Sequence, residues 1–163
     1  MLKSRASRER RLLDAGYRFA FALTHEASEA EDLVQAACVR LLDRYGRVES
    51  EALLVTVVRN LFYDRARRDK VVAFEPLEAR FEAVPGADAA LVSVDVRLDL
   101  DVLLAKLRPE EREALYLNVV AGYTLEEIAE LTGRPAGTIG SLIHRARRKL
   151  TEAAAEQGAR GSE

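Results

Sequence analysis

Three stretches of this chain gather groups that can do chemistry with a partner. From Arg134 to Leu150 the cations Arg134, Arg145, Arg147, Arg148 and Lys149 occur with no Asp or Glu between them. Side chains of this kind neutralise backbone phosphates, and the interleaved Thr138 and Ser141 hydroxyls can bond to a base edge while Leu142 can meet a thymine methyl. From Arg59 to Lys70 a second basic stretch sets Arg59, Arg65, Arg67, Arg68 and Lys70 against Asp64 and Asp69. Asn60, Asp64, Arg67 and Arg68 fall on one stripe of a helix, where the Asn60 amide can bond to a base edge or a flipped base beside the phosphate-binding arginines. The third stretch places Glu31 and Asp32 beside Gln35. These three make a polar helix face able to pair with Arg and Lys on a protein, contributing orientation and encounter rate; the acids also suit the first turn of a helix.

Each stretch needs a helix to hold it. The C-terminal cations follow Thr124 and Glu127, a capping box, and an apolar face of Leu125, Ile128, Ala129 and Leu131. Thr132-Gly133-Arg134 then makes a turn and a second helix begins near Pro135, with Ile139, Ile143, Ala146 and Leu150 on one face. This spacing predicts a helix-turn-helix whose second helix turns Thr138, Ser141, Leu142, Arg145 and Lys149 outward, with Arg148 nearby, towards a major groove. Upstream, Leu12, Leu13, Tyr17, Ala20, Phe21 and Leu23 predict a helix ending at Thr24-His25. Ser28 and Glu31 predict a capping box opening a second helix, with Leu33, Val34, Ala37, Cys38, Leu41 and Leu42 inward and Gly46 at its end. Ser50 opens a third, whose apolar face is Leu54, Val58, Leu61 and Phe62.

Between these halves periodicity fails. Residues 71–94 contain Pro76 and Pro85-Gly86 and, with the segment that follows, the acids Glu75, Glu78, Glu82, Asp88, Asp95, Asp99 and Asp101, so they read as a flexible acidic linker. Apolar spacing returns in Val96, Leu100, Leu103, Leu104 and Leu107, stops at Pro109 and resumes in Ala114, Leu115, Leu117 and Val120. The expected organisation is all-α: a helical module over 1–70, a linker over 71–94, and a helix-turn-helix module over 95–155.

Composition agrees. The 163 residues are 48% hydrophobic and 32% charged, with 9 Gly, 4 Pro and no Trp, which suits a globular helical chain of one or two small domains. The net charge of −2 argues against a protein that coats nucleic acid along its whole surface, so local charge must carry any such contact. Cys38 stands alone, without a partner for a disulfide or a zinc set, and no run approaches the length of a membrane span. A cytoplasmic chain with no membrane insertion and no cofactor is expected. His25 and His144 lie beside no Ser, Cys or carboxylate pair, and no phosphate loop or dinucleotide fingerprint is present, so no enzyme is expected.

The residues also resemble a family, the bacterial sigma factors of the extracytoplasmic-function group. Leu107-Arg108-Pro109-Glu110-Glu111-Arg112, Tyr123-Thr124-Leu125-Glu126-Glu127-Ile128-Ala129, Gly137-Thr138-Ile139 and Arg145-Ala146-Arg147 resemble its promoter-reading domain. Ala30-Glu31-Asp32-Leu33-Val34-Gln35 is similar to the segment that grips the clamp helices of RNA polymerase, and Arg59-Asn60-Leu61 with Asp64 and Arg67-Arg68 resembles the promoter-melting helix. The resemblance implies polymerase binding through Glu31, Asp32 and Gln35, promoter DNA at both basic helices, a linker in the RNA-exit path, and an inhibitory anti-sigma partner.

Three positions depart from the family's habit: Gly140 and Leu142, where it usually carries basic residues, and Leu53, where Trp is common. They keep a second reading open, a sigma-like mimic that binds an anti-sigma factor or polymerase without reading DNA. A third, a free-standing helix-turn-helix regulator, leaves Glu31, Asp32, Gln35 and the first basic helix unexplained.

Overall fold

The computed structural model describes residues 2–69 and 103–160, and every regular element in them is helical. They fall into two compact units. The expected linker over 71–94 lies outside the described residues, as do Val96 and Leu100 of the segment that follows it.

The first unit is a bundle of α1 (Leu2–Thr24), α2 (Ala27–Tyr45) and α3 (Glu51–Asp69), each packed on the other two. Helix α1 buries Phe19, Ala20 and Leu23, with Gly16 on the same stripe. The apolar face therefore lies slightly round from the expected one, and Leu13 is exposed. His25 adopts φ 56°, a left-handed conformation that stops the helix, and the Thr24 hydroxyl accepts the Glu26 N–H at 3.2 Å.

Helix α2 is capped by Glu26 rather than by Ser28 and Glu31. The Glu26 carboxylate accepts the N–H groups of Ser28 at 3.0 Å and Glu29 at 2.7 Å. A carboxylate one residue before the helix reaches these orphan donors and complements their positive end, so Ser28 falls inside the first turn. Ala30, Leu33, Val34, Ala37 and Leu41 face the core, Cys38 is half-buried and Leu42 is exposed. Burial pushes the Cys38 thiol pKa up from its ordinary value. Gly46 closes the helix at φ 69°, its N–H bonding to the Leu42 carbonyl at 2.8 Å.

Ser50 caps α3, its hydroxyl accepting the Leu53 N–H at 3.2 Å. The expected apolar face of Leu54, Val58, Leu61 and Phe62 is buried, and Val55, Tyr63 and Ala66 join it. That wider burial follows from packing against two helices rather than one, which takes a broader stripe.

In the second unit residues 103–105 are helical and Leu103 and Leu107 are buried. Helix α4 (Pro109–Leu115) starts with Pro109 in its first turn, where a missing N–H costs nothing. It runs on as a π-helical turn over Tyr116–Val120. Asn118 ties the exit of that turn by donating from Nδ2 to the Tyr123 carbonyl at 3.0 Å. Helix α5 (Leu125–Thr132) and helix α6 (Ala136–Arg160) follow, and α6 packs on both α4 and α5.

Candidate nucleic-acid interface

The helix-turn-helix is built as its residues require. Thr124 caps α5 by accepting the Glu127 N–H at 3.2 Å, and the Glu127 carboxylate returns the bond by accepting the Thr124 N–H at 2.8 Å. Gly133 takes φ 70° at the end of α5, with its N–H on the Ala129 carbonyl at 2.8 Å, and α6 begins three residues later. A Cβ at Gly133 would strain that backbone, so the tight turn depends on glycine.

On α6 the core stripe is Ile139, Leu142, Ile143, Ala146 and Ala153, all buried. This corrects the expected outward placement of Leu142: it is 3% exposed, three residues after Ile139 and four before Ala146, and faces the core. Lys149, seven residues after Leu142 at the edge of the same stripe, is half-buried. Its Nζ donates to both carboxylate oxygens of Glu111, at 2.9 and 2.8 Å, and Glu111 has no exposed surface. A cation assigned to DNA from spacing is thus held by a buried carboxylate on α4.

The remaining candidate groups of α6 also lie near solvent. Arg147 and Arg148 are exposed, and Thr138, Ser141 and Arg145 are half-buried. Arg148 forms an exposed i,i+4 ion pair with Glu152 at 3.6 Å, a contact too weak to hold the guanidinium back from a phosphate. The Ser141 hydroxyl donates to the Gly137 carbonyl at 3.0 Å.

Spacing gave no notice of the charged cluster on α4. Glu111, Arg112 and Glu113 are consecutive and all buried. Glu111 holds Lys149 and also accepts the Arg108 N–H at 2.9 Å. Arg112 donates to the Leu107 carbonyl at 2.6 Å, and Glu113 pairs with Arg134 of the turn at 3.3 Å. Three neighbours on one short helix thereby bind α6, the segment before α4, and the turn. The signal available in the sequence was only the crowding of charge beside Pro109, which also suits a solvated first turn.

In the first unit, α3 presents Asn60, Arg67 and Arg68 exposed, with Asp64 and Arg65 half-buried on the same half of the helix. Asp64 accepts from Arg67 at 2.6 Å, which holds that guanidinium beside Asn60's stripe. The Arg59 guanidinium lies 4.8 Å from the centre of the Tyr63 ring, a cation-π contact. Glu31, Asp32 and Gln35 are all exposed on α2, and the apolar side chains of Val39 and Leu42 lie exposed further along that helix. No helix among the described residues is long and apolar enough to cross a membrane.

A helical unit with a basic helix and a second unit built around a helix-turn-helix define the class of an all-α protein of two modules. Comparison with known proteins narrows it. Residues 8–71 match the family described as Sigma-70 region 2, and residues 97–150 match Sigma-70, region 4. The sigma factor EcfG of Rhodopseudomonas palustris is 35% identical over 140 residues, covering 82% of this chain and 75% of the relative. SigE of Mycolicibacterium smegmatis is 34% identical over 146 residues, covering 85% of this chain and 57% of that protein. The sigma factor RpoE of Bartonella quintana, solved in complex with the anti-sigma factor NepR, superposes with a TM-score of 0.68 at 29% identity, over 94% of this chain and 98% of that one. The chain belongs to the extracytoplasmic-function (ECF) RNA polymerase sigma factors. It spans about half the length of several curated relatives, 57% of SigE and 49% of the probable SigI of Mycobacterium tuberculosis.

Proposed function

We propose that this chain is a transcription initiation factor that binds the RNA polymerase core and directs promoter recognition and opening. The observation that carries this reading is the order of its two matched regions, region 2 over 8–71 and region 4 over 97–150, each on its own helical unit. In this reading Glu31, Asp32 and Gln35 orient the polymerase on α2, where their exposure leaves them able to pair with cationic side chains. Arg65, Arg67 and Arg68 take phosphates on α3, and Asn60 takes a base edge. On α6, Thr138, Ser141, Arg145 and Arg148 approach the promoter upstream.

The chain acts in the cytoplasm, where the polymerase works, and has no catalytic chemistry of its own. The complex of the relative RpoE with NepR supports an inhibitory partner of the anti-sigma kind here as well. The rival mimic reading rests on Gly140, Leu142 and Leu53; the burial of Leu142 beside Ile139 and Ile143 supports a packing role for it.

Transcription with purified core polymerase tests the proposal, because defined start sites on adding this chain alone are expected only of a sigma factor. Polymerase binding without any start site gives the mimic reading. Asp32→Arg is expected to weaken core binding while leaving helix content intact, since it reverses an exposed charge; unchanged affinity at moderate salt removes Glu31 to Gln35 from the polymerase face.

A further inference from the structure

We propose that Glu111 and Lys149 are positioning residues for promoter reading: the ion pair of half-buried Lys149 with the buried Glu111 carboxylate sets the rotation of α6 on α4, and Lys149 makes no phosphate contact of its own. This rests on the reading of α6 as the promoter-docking helix.

Ile139, Leu142, Ile143 and Ala146 are held by burial, an attraction that is itself non-directional. The Glu111–Lys149 pair is directional. One ammonium meets both oxygens of a carboxylate that has no exposed surface, and the same carboxylate accepts the Arg108 N–H that starts α4. Rotating α6 by a single residue would swing Nζ away and leave the buried Glu111 carboxylate with only the longer ion pair to Arg108 Nε at 4.0 Å, which is unfavourable. Rotations that the apolar contacts allow are therefore refused by the ion pair.

That refusal determines which groups reach DNA. With Lys149 held on Glu111, Ser141 and Arg148, seven residues apart, share a stripe about a quarter-turn round the helix from Lys149, and Arg145 lies between. A small rotation would move Arg148 off a phosphate it is placed to meet, and would move Ser141 relative to the bases. The pair thus acts on specificity through the neighbouring stripe of the helix, and at the same time withdraws one cation from the phosphate count.

The test uses the full chain, native promoter DNA and a scrambled duplex, titrated with salt. Wild type is compared with Lys149→Gln and with the double variant Glu111→Gln/Lys149→Gln, while Arg148→Gln calibrates the loss of one phosphate contact. Lys149→Gln is expected to weaken promoter binding roughly tenfold by removing the nearer of the two cations on a buried carboxylate, with the salt slope unchanged. The double variant removes both charges and keeps hydrogen-bonding groups, so promoter preference over the scrambled duplex is expected to return to within about threefold of wild type. Arg148→Gln is expected to lower the slope by about 0.9. A slope lowered by that amount in both Lys149 variants, an unaffected Lys149→Gln, or a double variant that neither folds nor recovers overturns the proposal. Wild-type protein that shows no promoter preference even with core polymerase overturns the promoter reading instead.

Discussion

In the bundle of α1 to α3 the largest fully buried side chains are Phe19, Leu23, Leu33, Leu41, Leu54, Val55 and Val58, whereas the second unit buries Glu111 and Glu113 beside Leu117, Ile128 and Ile139. The first arrangement leaves the unit's charges outside, where Glu31, Asp32, Arg67 and Arg68 are exposed and available to partners. The second spends cations internally, with Lys149 on Glu111 and Arg134 on Glu113. Counting charge along the chain therefore gives a fair estimate of the exposed charge in one unit and an overestimate in the other. A short helix-turn-helix unit has few apolar residues to bury, and buried ion pairs supply direction that a small apolar core lacks.

The contrast breaks hardest at the apolar core. Leu54 is fully buried at the contact of α1 with α3, so Leu54→Ala is expected to cost the first unit about 2–5 kcal/mol. Amide hydrogen exchange should show the loss in α1 to α3 while protection in α4 to α6 is unchanged, since separate units need not unfold together. Equal loss in both units would show one cooperative core rather than two.

The next test is an asymmetry within the second unit. Glu113 is 1% exposed and its partner Arg134 is 19% exposed, so removing the arginine strips charge compensation from a group that water cannot reach. Arg134→Met is expected to cost about 2–3 kcal/mol, and Glu113→Gln only about 1 kcal/mol, because a freed Arg134 can turn to solvent. Denaturant unfolding followed by exchange in α4 to α6 measures both; the reverse order would mean that Glu113 depends on its other contacts more than on Arg134.

Much of this was legible from residue types. The cap at Thr124 with Glu127, the turn at Gly133 and the stop at Gly46 follow from local chemistry, which needs no knowledge of distant residues. What was not legible depended on partners far away in sequence. Lys149 lies 38 residues from Glu111 and Arg134 lies 21 from Glu113, so a cation's direction could not be told from its own helix. Leu142 shows a narrower cause. The buried stripe of α6 spans Ile139, Leu142 and Ile143 together, and a periodicity drawn through Ile139, Ile143, Ala146 and Leu150 alone puts its edge one residue off. The cap at Glu26 was displaced because Ser28 and Glu31 fit the capping spacing equally well, and the geometry of His25 decides between them.

The smallest effects sharpen the comparison through two glycines inside helices. A Cβ on Gly16 of α1 would lie 2.6 Å from Leu54 Cδ2, and Leu54 is locked in the core with no room to give. Gly16→Ala is therefore expected to destabilise the first unit by about 1–3 kcal/mol despite the better helix propensity of alanine. On α6 the nearest atom to a Cβ on Gly140 is Leu125 Cδ1 at 3.8 Å, an ordinary contact across the helix-turn-helix. Gly140→Ala relieves the unfolded chain's entropy and adds a methyl against Leu125, so a gain of about 0.5–1 kcal/mol is expected in the second unit. The same substitution is thus expected to carry opposite signs in the two units, read by melting of each variant against wild type. A loss at Gly140 would show that α6 lies closer to α5 than the 3.8 Å contact allows, and that the docking helix, like the bundle, needs its glycine for packing.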